Sequence, residues 1–122
     1  MRIILTLLLF AVLINTSALA SDFGKYNKEA IPVSMHYLLA NPEKLNGKVV
    51  RVIGVVNLEF ESNVIFVDNE SFDYYNPQNG FWVDINEKAL GITEEMALAL
   101  RGEMVVVEGD ILWPCSTYGS VC

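Results

Sequence analysis

Leu45-Asn46-Gly47-Lys48-Val49-Val50-Arg51-Val52-Ile53-Gly54 decides how this chain reads, because Leu100-Arg101-Gly102-Glu103-Met104-Val105-Val106-Val107-Glu108-Gly109 repeats it. Both stretches follow L-x-G-x-x-V-x-V-x-G. Successive strand side chains alternate between faces, so the two valines and the second glycine fall on one side. The first glycine suits a tight turn, and the second marks a bend inside the strand. Two such strands predict a small, mainly β domain coiled into a barrel.

Outward from the first copy, Val50, Val52, Gly54, Val56, Leu58 and Phe60 continue the inward face, so a strand is expected from Lys48 to Phe60. Its odd positions carry Arg51, Asn57 and Glu59, as on a partly covered face. The second copy predicts a strand from Glu103 to Trp113, with Val105, Val107, Gly109, Ile111 and Trp113 aligned to the same side. Glu61-Ser62-Asn63 reads as a hairpin turn, Val64 to Val67 as a short strand, and Phe81 to Ile85 as another with Phe81, Val83 and Ile85 on one face. Asp68 to Gly80 between them is polar and turn-rich. Asn86 to Leu100 is a turn plus a helix that starts at Thr93, with Gly102 just past its end. An earlier helix is capped by Ser34, shows Met35, Leu38 and Leu39 on one face, and stops at Asn41-Pro42. Residues 21–30 read as a loose lead-in.

The first twenty residues have the form of a cleaved secretory signal. Arg2 is the basic start, Ile3 to Ile14 is apolar apart from Thr6, and Ala18-Leu19-Ala20 places small residues before a cut at Ser21. That run is shorter than the roughly twenty apolar residues needed to span a bilayer. The expected mature domain is residues 21–122, periplasmic or secreted, with no stable membrane anchor. Removing Arg2 leaves seven basic against fifteen acidic residues, a formal charge of −8. Such a surface disfavours nucleic acid, whose binding depends on Lys and Arg releasing counterions. Cys115 and Cys122 are an even pair in an exported chain and read as a disulfide.

The order of elements and the L-x-G-K-x-V-x-V-x-G opening resemble small exported bacterial OB-fold proteins. The resemblance runs from Ile31 to Trp113, roughly four-fifths of the mature chain. It implies a Greek-key barrel with an N-terminal helix and a helix before the fourth strand. An OB barrel usually closes with a fifth strand, for which Thr117 to Val121 is the available segment.

Candidate chemistry is sparse. His36 is the only histidine, and no nucleophile is spaced to use it as a base. Asp68-Asn69-Glu70-Ser71-Phe72-Asp73 clusters oxygens but lacks the glycine and distal glutamate of an EF-hand loop. No metal or cofactor is expected, and the chain is not expected to be an enzyme. Phe72, Tyr74, Tyr75 and Trp82 crowd the part of the chain where OB-folds bind ligands. Trp82, out of phase with Phe81, Val83 and Ile85, should face away from the core. The aromatics therefore suggest a binding module for a saccharide, peptide or protein of the cell envelope. The alternative is an acidic inhibitor or accessory subunit of another exported protein. Oligomeric state is left open.

Overall fold

Gly47 and Gly102, the turn glycines of the two repeats, hold φ of +75° and +82°, a left-handed conformation that side chains other than glycine's resist. Each turn closes the same way: Lys48 N–H donates to Leu45 O and Glu103 N–H to Leu100 O, both at 2.9 Å. The computed structural model describes residues 22–59 and 62–114. In chain order the elements are β1 (Ile31–Pro32), α1 (Met35–Ala40), α2 (Pro42–Leu45), β2 (Val49–Asn57), β3 (Val64–Phe66), α3 (Asn69–Asp73), a 3₁₀ turn (Pro77–Asn79), β4 (Gly80–Trp82), α4 (Glu87–Leu90), α5 (Glu94–Leu100) and β5 (Met104–Asp110).

The two repeats pair with each other. β2 and β5 run antiparallel with Val50 opposite Gly109, Val52 opposite Val107 and Gly54 opposite Val105. Equivalent residues therefore exchange places about the Val52–Val107 pair, an approximate local twofold axis. The flanking hydrogen bonds obey it. Gly47 N–H donates to Ile111 O and Gly102 N–H to Val56 O, both at 2.8 Å. Ile111 N–H donates to Lys48 O at 3.0 Å, and Val56 N–H to Glu103 O at 3.1 Å.

The other edge of β2 is shared. β1 pairs parallel with Val50 and Arg51, and β3 pairs antiparallel with Val55 to Asn57. β4 then adds antiparallel to β3. Among the described residues no strand joins β4 to β5, so the five-stranded mixed sheet is open rather than the expected closed barrel. β3 and β4 have only three residues each. Strands that short add little to the sheet, and the segment expected to close the barrel falls outside the described residues. The first repeat strand also ends at Asn57 and the second at Asp110, earlier than their alternation suggested. The Thr117–Val121 segment, Cys115, Cys122 and the signal region lie outside the described residues.

Burial follows the alternation. On the even face Met35 and Leu38 of α1 and Leu45 of α2 pack on Val50, Val52 and Ile65. Farther along that face, Val56 and Leu58 meet Ala97 of α5. Ser34 caps α1 as expected, accepting from Tyr37 N–H at 3.0 Å, and Thr93 caps α5 by accepting from Met96 N–H at 3.2 Å. Asn41-Pro42 ends α1, but Pro42 also opens α2 at the helix position where its missing N–H costs nothing.

Two expectations change. Asn57 is 1% exposed rather than on an open face, and its amide donates to Ser62 O across the hairpin at 3.2 Å. The lead-in is anchored, not loose. Arg51 donates to Glu108 at 2.6 Å and to Asn27 O at 2.7 Å, while Glu108 accepts from Asn27 N–H at 2.8 Å. The Arg51 guanidinium also lies 4.2 Å from the centre of the Tyr26 ring, a cation–π contact.

Candidate functional site

Asp68 organises the segment that the sequence presents only as a polar loop. Its carboxylate accepts from Ser71 N–H at 2.8 Å and so caps α3. The Ser71 hydroxyl first, and its backbone N–H second, hold the Asp68 carboxyl below the usual carboxylate range. Ser71 is buried and acts as a hub: its hydroxyl accepts from Asn79 Nδ2 at 3.2 Å and its carbonyl from Asn76 N–H at 2.8 Å. α3, the 3₁₀ turn and the chain between them are thereby fixed around one serine.

The four aromatic residues do not form one surface. Phe72 turns inward against Phe66, edge to face at 6.2 Å between centroids, and helps cover Val55 and Val64. Trp82 does lie opposite Phe81, as its phase required. It nevertheless rests half-buried on the same Val55, Val64 and Phe66 cluster, so the sheet carries a small second core on its odd face. Tyr75 packs its ring on Phe66 at 5.7 Å, and its hydroxyl meets Ser62 Oγ. Tyr75 also has φ of +45°, uncommon for a residue with a side chain. Tyr74 alone projects, at 81% exposed.

The projecting ring borders a hollow of about 230 Å³ lined by Asp68, Glu70, Ser71, Tyr74, Asn76 and Asn79. Tyr74 is the one expected site residue that lines it. Asn76 and Asn79 were not singled out from the sequence, although the Asn76-Pro77-Gln78-Asn79 turn carries three amides in four residues. The lining offers one aromatic face, two carboxylates, two amides and a hydroxyl. It can hydrogen-bond hydroxyl groups and stack against an apolar ring face.

The acid–base group against the buried Ser71 hydroxyl is the Asp68 carboxylate, and His36 is exposed on α1. Among the described residues no three His, Cys, Asp or Glu side chains converge as a metal site. None of the described helices is long and apolar enough to cross a membrane. No family model, no curated protein and no solved structure matches the chain.

Proposed function

We propose that this chain is an exported, non-catalytic binding module of OB-fold type, working at the cell envelope. The finer fold reading is supported by β2 pairing with both β3 and β5, β3 pairing with β4, and α5 preceding β5. The observation that carries the function is the exposed Tyr74 ring beside a hollow of fixed amides and carboxylates. A saccharide fits that chemistry best, since its C–H face stacks on an aromatic ring while its hydroxyls bond the rim. Asp68, Ser71, Asn76 and Asn79 are held by internal hydrogen bonds before any ligand arrives, which lowers the entropy cost of binding.

A glycan array comparing wild type with Tyr74→Ala tests the reading. Retention of a subset of glycans by wild type, and loss of that subset by the variant, is the expected result. Equal retention by both proteins, or none by wild type, contradicts the site.

One observation favours the accessory-subunit alternative: Ile53, Met104 and Val106 form an exposed apolar strip on the β2–β5 ribbon, and none of them lines the hollow. Under that reading the surface contacts another exported protein, and the acidic charge makes the association strongly salt-dependent.

A further inference from the structure

Among the described residues, one edge of β5 pairs with no strand. The bonds from Val56 N–H to Glu103 O and from Ile111 N–H to Lys48 O fix the phase of the β2–β5 ladder. In an antiparallel pair each residue sends its N–H and C=O in the same direction, and neighbours alternate. The odd-numbered residues of β5 thus bond β2, while Met104, Val106, Glu108 and Asp110 direct theirs to the opposite side. No described strand pairs there.

Natural proteins usually guard such an edge with lysine, proline, a bulge or a covering element. β5 contains neither lysine nor proline. Its register with β2 runs without a bulge from Asp110–Val49 to Met104–Val55. Beside the edge, Ile53, Met104 and Val106 are 58%, 60% and 60% exposed. Both ends of the strand are acidic, at Glu103 and Asp110, and both residues are exposed. The central Glu108 is committed to Arg51 and Asn27.

The geometry points to β5 as a site of strand addition for an extended segment of another protein, with apolar residues at alternate positions and Lys or Arg at each end. Main-chain bonds to the edge provide affinity, and the alternating side chains provide specificity. A second copy of this chain is a poor occupant. Because only even-numbered residues face this edge, full antiparallel pairing of two β5 strands sets Asp110 opposite Met104 and Glu108 opposite Val106, so it gains none of the ion pairs that basic ends supply. The inference rests on the accessory-subunit reading and is independent of the Tyr74 hollow.

The probe is a capped synthetic peptide as long as β5, alternating valine and threonine, with a lysine at each end. Its controls are a twin ended in glutamate and a twin N-methylated at alternate residues. Titration into the exported protein, read by calorimetry and amide chemical shifts, should show binding of the lysine peptide alone, weakened by salt. The shifts should centre on Met104, Val106 and Glu108. Val106→Pro removes only an N–H that points away from β2, and Val106→Lys keeps the N–H but adds a repelling charge. Each should weaken binding at least about tenfold, with cooperative thermal unfolding retained in at least one, while Tyr74→Ala binds as wild type does. Binding that survives N-methylation or both Val106 variants overturns the proposal, as do shifts confined to the hollow. A dimer split by Val106→Pro would make a second copy the occupant and overturn it. Binding seen only after deletion of residues 115–122 would overturn it too, by making that segment the occupant.

Discussion

Gly54 and Gly109 occupy the same place in the repeat and answer to different physics. A Cβ on Gly54 would lie 2.5 Å from Ile65 Cγ1 and 2.6 Å from Phe66 O, because β3 crosses directly against the bend. A Cβ on Gly109 would meet nothing within 4 Å. Gly54→Ala should therefore destabilise by about 1–3 kcal/mol, the usual cost of overpacking. Gly109→Ala should stay within about 0.5 kcal/mol of wild type. Urea denaturation of both variants checks the pair, and equal losses would contradict it. The sequence motif marks both glycines alike, because alternation reveals a face but not what packs on it. The same limit applies to Trp82. Its phase was legible, whereas the odd-face cluster of Val55, Val64 and Phe66 beneath it required the β3–β4 pairing. Tyr75→Phe removes the hydroxyl that meets Ser62 Oγ and should cost about 0.5–1.5 kcal/mol in the same assay.

Among the elements, the β2–β5 ribbon is the organising unit. Its twofold character was half legible: the repeat predicted two equivalent strands with the same inward side, while their pairing with each other appears only in the structure. β1 left no periodic signal, since two residues cannot show one. The anchoring of the lead-in was hidden for a related reason, because Arg51 and Glu108 are distant in sequence and become neighbours only through the ladder register. Asn27 N–H first, and Arg51 second, hold the Glu108 carboxyl below its usual range. A depressed folded value contributes stability that is complete above the unfolded glutamate value of about 4.3 and is lost as pH falls through the folded one. Asp68, lowered by Ser71, acts in the same direction. Wild type should thus lose stability more steeply below about pH 4 than Glu108→Gln. Thermal unfolding across that range would show it, and parallel curves for the two proteins would contradict it.

At the scale of the whole molecule, the sequence reveals more of the scaffold than of the site. The mainly β character, the cap residues Ser34 and Thr93, and both repeat turns follow from short-range patterns that the chain displays openly. The hollow does not. It depends on a buried serine drawing together Asp68, Asn76 and Asn79, and the polar stretch displays neither that hub nor its asparagines. Aromatic composition pointed to the segment that borders the hollow, and the structure divides those rings between support and display: Phe72, Trp82 and most of Tyr75 hold the loop on the sheet, leaving Tyr74 to face solvent. Tyr74→Ala should accordingly leave unfolding within about 0.5 kcal/mol of wild type, as for an exposed residue. The proposed export makes its own prediction: protein recovered from outside the cytoplasm should begin at Ser21 on N-terminal sequencing, and an intact Met1 would contradict a cleaved signal. The most direct test of the binding reading is an amide chemical-shift titration of residues 21–122 with a saccharide library. A ligand that moves Ser71, Tyr74, Asn76 and Asn79 together, and loses its effect in Tyr74→Ala, is the predicted result. A library that leaves those four amides unmoved would contradict the assignment of the hollow as a saccharide site.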